Sequence, residues 1–216
     1  MQQVNIPAGV TKVGSRAFLG CINLTEIHFN DGLQSIGQRA FHSCWDLRSV
    51  TIPSSVIEVG SGAFYNCSNL AEVHFIEGSL QVIDRETFRG CNALQQVTIP
   101  ASVTRLGDLA FTNCANLTQV ILLGGEHLLN KRFLYRDQGR FNQGGVLNQD
   151  RLIEMIGSGS MHCFAFAECP LLATVKISTA KALSQLMSRL PHECRLSIEE
   201  KFVTCAVLSL RKMAMS

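Results

Sequence analysis

The stretch AFYNCSNLAEVHF, residues 63–75, contains the pattern that organises this chain. Phe64, Cys67, Leu70 and Val73 follow one another at intervals of three residues. After Val73 the chain alternates, with His74 between Val73 and Phe75. Alternation of this kind predicts a short β-strand with one buried face.

The same pattern recurs along the chain. Its Phe, Cys and Leu positions are filled six times, by Phe18, Cys21 and Leu24; Phe41, Cys44 and Leu47; Phe64, Cys67 and Leu70; Phe88, Cys91 and Leu94; Phe111, Cys114 and Leu117; and Phe166, Cys169 and Leu172. The predicted strands begin at Val4, Ile27, Val50, Val73, Val97 and Val120, in steps of 23, 23, 23, 24 and 23 residues, and again at Val175. A unit of this length buries its apolar face only against its neighbours, which predicts a solenoid with a continuous core.

A second, longer period runs through the strands. The tetrapeptide VTIP occupies residues 50–53 and 97–100, and VNIP occupies residues 4–7. Between these segments the chain reads IHF at 27–29 and VHF at 73–75, without proline. Since proline has no N–H to donate to a strand partner, it marks the end of a strand. Coils with Ile-Pro therefore alternate with coils with His-Phe.

Glycine recurs four residues before the phenylalanine, at Gly14, Gly37, Gly60 and Gly107. Asp84 and His162 occupy this position in the two exceptions. We expect a turn there that needs the conformational freedom of glycine.

The order Phe-x-x-Cys-x-x-Leu-x-x-Val-x-Ile-Pro resembles the BspA-type leucine-rich repeat, over about residues 4–123 and again near 161–177. The more general Leu-x-x-Leu-x-Leu pattern is met by Leu24, Ile27 and Phe29. The resemblance implies an α/β solenoid whose short parallel strands stack into one sheet. It also implies binding, adhesion or scaffolding, and it supplies no catalytic motif.

The chain has nine cysteines, and six of them occupy one position of the repeat. Stacked one coil apart, these thiols are too distant for disulfides and are predicted to form a buried ladder of free cysteines. Cys163, Cys194 and Cys205 lie outside the ladder. His162, Cys163 and Cys169, or His192 with Cys194, remain open as half of a metal site, but no metal or cofactor is predicted.

The bulk composition excludes some classes of partner. The formal net charge is +2 over 216 residues, which gives no general reason to expect nucleic acid or an anionic membrane. No stretch has the roughly 18 uninterrupted apolar residues of a membrane span. The first ten residues, MQQVNIPAGV, show no secretory signal. Together with the free cysteines, this predicts a cytoplasmic protein.

Candidate binding residues lie in two places. The strands turn two columns of polar side chains outward, including Glu26, His28, Thr51, Glu72, His74 and Thr98. The second place is an interruption of the repeat at about 124–160, where KRFLYRDQGRF, residues 131–141, combines basic and aromatic side chains. Its candidates are Arg132, Tyr135, Arg136 and Arg140. Its composition fits a nucleic-acid or anion patch, but also an excursion whose aromatic rings pack against the solenoid.

The predicted domains are a solenoid of six to seven coils at 1–177, with the insertion in its sixth repeat, and a helical C-terminal cap at 178–216. Residues 148–156 suggest a short amphipathic helix within the insertion. In the tail, Pro191 follows one predicted helix, and Ser197 with Glu200 forms a capping box that opens a second.

These patterns favour a protein-interaction or scaffolding module without catalysis, which binds through the sheet face, the insertion or both. The partner is expected to be another protein, and the chain a monomer or part of something longer. The alternatives are a surface adhesin of the bacterial BspA kind, and nucleic-acid or anion binding through the insertion.

Overall fold

A computed structural model of the protein describes residues 2–124 and 165–177. Its strands fall into two series, which alternate along the chain. The first series is β1 (Gln3–Asn5), β3 (Glu26–His28), β5 (Ser49–Ile52), β7 (Glu72–Phe75), β9 (Gln96–Ile99), β11 (Gln119–Leu122) and β12 (Thr174–Ile177). The second series is β2 (Lys12–Val13), β4 (Ser35–Ile36), β6 (Glu58–Val59), β8 (Val82–Ile83) and β10 (Arg105–Leu106). One strand of each series makes a coil, so the described residues contain five complete coils.

The paired strands of the first series, β1 with β3, β5 with β7, and β9 with β11 and β12, are parallel and in register, as the repeat predicted. Equivalent residues face each other across coils, for example Val4 and Ile27, or Val50 and Val73. Their apolar side chains point into the core. The predicted solenoid of parallel strands is therefore confirmed.

The second series adds a sheet that the sequence analysis did not separate from the first. Its strands are also parallel, in the order β10-β8-β6-β4-β2. Each strand is two residues long and places one apolar side chain inward, such as Val13, Ile36 or Val59. Within the described ranges the two sheets are joined by turns, and no helix occurs.

Phenylalanine forms the central column of the core. The rings of Phe18, Phe41, Phe64, Phe88, Phe111 and Phe166 stack in order along the solenoid. Successive centroids lie 5.0 to 5.3 Å apart and the planes are within 14° of parallel. This is the distance range of favourable aromatic pairs. All the rings but that of Phe18 are fully buried, and Phe18 is half-buried.

Hydrogen bonds between turns hold the phenylalanine side of each coil. In the first coil the amides of Arg16, Phe18 and Gly20 donate to carbonyls of the second coil, at 2.7 to 2.9 Å. Arg16 and Gly20 have positive φ angles of 60° and 72°. Left-handed residues four positions apart direct these amides toward the next coil, and so prevent the turn from continuing as a helix.

The glycines at 14, 37, 60 and 107 have a different role from the one predicted. None of them has a positive φ. A Cβ atom on Gly37 would lie 2.7 Å from the Ser15 nitrogen and 2.8 Å from the Val13 oxygen. Glycine is needed there because successive backbones approach closely, and the prediction of a turn that needs conformational freedom was wrong.

The repeat resumes directly after the insertion. The Phe111 amide donates to the Ala165 carbonyl at 2.6 Å, and β12 pairs with β11 from Thr174 to Ile177. The predicted helix at 148–156 and the predicted cap at 178–216 lie outside the described residues.

Candidate functional site

Two columns of polar side chains run along the outside of the first strand series. We call them the polar face: Glu26 and His28 on β3, Ser49 and Thr51 on β5, Glu72 and His74 on β7, and Gln96 and Thr98 on β9. The strands place them there because each column flanks a buried Ile or Val. All are exposed except Thr98, which is half-buried.

On this face the structure brings glutamate and histidine together in every second coil. The Nε2 of His28 lies 3.6 Å from Oε2 of Glu26, and the Nε2 of His74 lies 3.1 Å from Oε2 of Glu72. The side chains of both carboxylates remain more than half exposed, at 61% for Glu26 and 66% for Glu72. Each imidazole therefore restricts its carboxylate while leaving it open to solvent.

The strand ladder beneath the polar face is interrupted twice. The first series pairs as β1-β3, β5-β7 and β9-β11-β12, with no paired register between β3 and β5 or between β7 and β9 in the described chain. Between β5 and β7, where pairing continues, the amide of Ile76 donates to the Ile52 carbonyl at 3.0 Å. At the same repeat position β5 and β9 are followed by Pro53 and Pro100. Because proline has no N–H, this hydrogen bond has no counterpart at either interruption.

An open depression lies at each interruption. The first has a volume of about 460 Å³, and the second of about 550 Å³. Glu26, His28, Phe29 and Thr51 line the first, and the equivalent Glu72, His74, Phe75 and Thr98 line the second. Ile76 lines both. The polar face therefore carries two similar depressions, two coils apart.

Three apolar lining residues were missed by the sequence analysis. Phe29 and Phe75 were assigned only to the core, but both are half-buried. Ile76, at the repeat position of the prolines, is 49% exposed. In the sequence, the alternation of Ile-Pro and His-Phe coils was the sign that successive strands of the first series are not all paired alike.

The remaining predictions concern the insertion, the cysteines outside the ladder, metal binding and membrane spans. Arg132, Tyr135, Arg136 and Arg140 lie outside the described residues, as do Cys163, Cys194 and Cys205. In the described ranges, no group of three or more His, Cys, Asp or Glu side chains is placed to hold a metal ion. No helix there is long and apolar enough to cross a membrane.

The cysteine column is part of the hydrogen-bonded core, and its thiols at Cys44 and Cys67 are structural rather than reactive. Each thiol from the second coil onward donates to the carbonyl of the phenylalanine one coil earlier, as Cys67 does to Phe41 at 3.2 Å. Burial, with a smaller contribution from the neighbouring Cys21, raises the pKa of Cys44 to about 12. Burial likewise holds the pKa of Cys67 well above its ordinary value. No disulfide joins any two of the six described cysteines, as predicted for the ladder.

Comparison with known proteins gives a consistent result. The model of the BspA type leucine-rich repeat region matches residues 1–119, with 6 copies. No curated protein matches the chain. Similar solved structures include the T. pallidum leucine-rich repeat protein, at 32% identity and a TM-score of 0.54, and the pneumococcal vaccine antigen PcpA, at 28% identity and a TM-score of 0.53. The alignments cover 59% and 58% of this chain, but 67% and 31% of those proteins.

Proposed function

Because the chain belongs to the BspA type leucine-rich repeat family, we propose that it is a non-catalytic protein-binding module and that the polar face is its contact surface. One observation carries the proposal. The repeated apolar residues are buried in the core, whereas the polar side chains of the first strand series are aligned and exposed at a fixed spacing. Solenoids commonly use such extended surfaces for binding.

The chemistry of the described residues supports a role without catalysis. A thiol acts as a nucleophile when it ionises, and the raised pKa of Cys44, about 12, keeps it protonated at neutral pH. The Glu–His pairs lie in open depressions and are exposed to solvent. These pairs therefore lack the water-excluded surroundings in which electrostatic catalysis is strong.

The experiment compares two double variants of the full chain as baits. Thr51→Arg with Thr98→Arg places bulky cations on the polar face, whereas Gln34→Arg with Gln81→Arg makes the same change at exposed positions next to the second sheet. Quantitative mass spectrometry of the captured proteins should show specific partners lost with the first pair and retained with the second. Equal capture by both pairs would refute the polar face as the contact surface.

The insertion is a separate predicted contact region. Replacing residues 131–141, with Arg132, Tyr135, Arg136 and Arg140, by a neutral linker tests it in the same assay. Unchanged capture would remove this segment from the binding surface.

A further inference from the structure

The two depressions share one set of chemical groups. Each has a solvent-exposed carboxylate beside an imidazole, a half-buried phenylalanine ring and a threonine hydroxyl. The first also contains the carboxylate of Asp31. Neither lining includes a lysine or an arginine. The depressions therefore offer carboxylate and aromatic groups, with histidine but no lysine or arginine of their own beside the carboxylate.

We propose that each depression receives one lysine or arginine side chain, and that the pair binds an extended segment of a partner protein carrying two such side chains. This inference rests on the proposed function, and names the chemistry of the partner that the polar face selects. A long cationic side chain matches both groups, because its aliphatic stem packs on apolar surface while its charged end reaches a carboxylate. An aromatic ring near the cation adds a favourable electrostatic contact.

The phenylalanine rings of the depressions are held in place from below. Phe29 packs edge-on against Phe41, with centroids 5.8 Å apart and planes at 68°. Phe75 packs in the same way against Phe88, at 6.0 Å and 88°. Because Phe41 and Phe88 belong to the stacked core column, these rings are preorganised and little motion is lost on binding.

Spacing limits the kind of segment that fits. The depressions are two coils apart, which corresponds to roughly 10 Å at the usual distance between strands. A polyproline II segment advances about 3.1 Å per residue with three residues per turn, so side chains at i and i+3 point the same way about 9.3 Å apart. The exposed side chain of Ile76 lies where it lines both depressions and can contact the residues between the two cations.

The carboxylates can be tested with isosteric changes. A fluorescent, proline-rich peptide with lysines at i and i+3 is titrated with the full chain, and binding is followed by anisotropy. We expect Glu26→Gln or Glu72→Gln to weaken binding several-fold and the double variant at least about tenfold, because the second site acts at high effective concentration. Glu58→Gln is the matched control, since Glu58 is exposed on the second sheet. It should stay within about twofold of the parent protein, and added salt should weaken parent binding.

Peptide controls test charge and spacing. A peptide with glutamines at i and i+3, and one with lysines at i and i+1, should both bind at least about tenfold more weakly, because the first lacks charge and the second cannot reach both depressions. Absence of parent binding at millimolar peptide would overturn the inference. So would equal binding by the glutamine peptide, or an effect of the double glutamine variant no larger than that of Glu58→Gln.

The bait experiment separates this inference from the proposed function. If the arginine variants at Thr51 and Thr98 lose partners while the double glutamine variant retains peptide binding unchanged, the polar face binds proteins but does not select cations. If the double arginine variant at Thr51 and Thr98 and the double glutamine variant at Glu26 and Glu72 both behave as the parent protein does, the proposed function fails as well. Circular dichroism of every variant checks that the solenoid is intact.

Discussion

The ring of Phe64 lies between those of Phe41 and Phe88, with a centroid distance of 5.3 Å to each. It is fully buried. Phe64→Ala removes the stacking contacts with both neighbouring rings. It also leaves a cavity that the two rigid neighbouring coils cannot close. We expect the free energy of unfolding to fall by about 3–5 kcal/mol. Urea denaturation measures this change. The matched control is Ile57→Ala, since Ile57 is 45% exposed, and a loss at Phe64 below about 1 kcal/mol would contradict a packed ring column.

The buried thiols are expected to be unreactive in the native protein. Alkylation requires the thiolate, and burial raises the pKa of Cys44 to about 12 and that of Cys67 well above its ordinary value. With iodoacetamide at pH 8, peptide mapping should show slow labelling of both, and full labelling after denaturation. Cys21 is the internal control because it is half-buried and should react sooner. Native labelling of Cys67 at the denatured rate would exclude the ladder.

The same pKa direction affects stability at alkaline pH. Because folding raises the pKa of Cys44 above the ordinary 9.0, the unfolded chain loses this proton at lower pH than the native chain does. The contribution of the thiol to stability is therefore full below pH 9 and is lost as pH rises toward 12.

At the scale of the coil, the close approach of successive backbones sets the role of glycine. A Cβ on Gly37 would meet the backbone of Gly14 and Ser15 at 2.7 to 2.8 Å, whereas a Cβ on Gly14 would meet nothing within 4 Å. Gly37→Ala is therefore expected to lower the free energy of unfolding by about 1–3 kcal/mol, as in other overpacked sites. Gly14→Ala, at the same repeat position, should be neutral or slightly stabilising. Thermal denaturation measures both changes. Similar changes in the free energy of unfolding for the two variants would show that neighbouring coils can move apart without loss of stability.

Proline at the end of a strand determines where the ladder is interrupted. Pro53→Ile introduces the residue found at the equivalent position 76, and the new amide should donate to the Phe29 carbonyl. The hydrogen bond contributes about 0.5–1.5 kcal/mol. Loss of proline rigidity offsets about 0.4–1 kcal/mol of this gain, so stability should change little. Hydrogen exchange at residue 53 is the measurement, and exchange as fast as in an unstructured peptide would contradict this account.

Pro53→Ile should also affect the first depression. If β3 and β5 pair, the gap between them narrows, and binding of the lysine peptide should weaken. Substitution of Pro7, which follows β1 and lies away from both depressions, is the control. It should leave peptide binding unchanged.

The sequence predicted the features in which one residue type recurs at a fixed spacing. It did not predict the features that depend on backbone conformation. Phe64, Cys67 and Leu70 could be placed in the core because each recurs at one spacing and packs on its own equivalents. The left-handed positions could not be predicted in this way, because the equivalent residues Arg16, Arg39, Gly62, Glu86 and Leu109 are of four different types. The role of Gly37 and the depressions depend on distances between coils, which a spacing pattern does not contain.

For the molecule as a whole, interactions run between adjacent coils. Backbone hydrogen bonds such as Thr25 to Gln2 and Ala173 to Thr118 link each coil to its neighbour. In such an array, stability is approximately the sum of the coils and the interfaces between them. In the first strand series the repeating unit is the pair of coils, because its strands pair only within each pair of coils until β11 meets β12, whereas the second series pairs without a break from β2 to β10.

This organisation predicts the effect of lengthening the protein. A second copy of residues 50–96, inserted after residue 96, adds one complete pair of coils, and the urea midpoint should rise because one more paired ladder is buried. A second copy of residues 50–72, inserted after residue 72, is the control, since it places two Ile-Pro coils in succession and adds a coil without its ladder partner. The first variant should gain more stability per added coil than the second. It should also bind a peptide with three lysines, at i, i+3 and i+6, more tightly than the parent protein does. Equal gains per coil would show that the stabilising unit is the single coil rather than the pair.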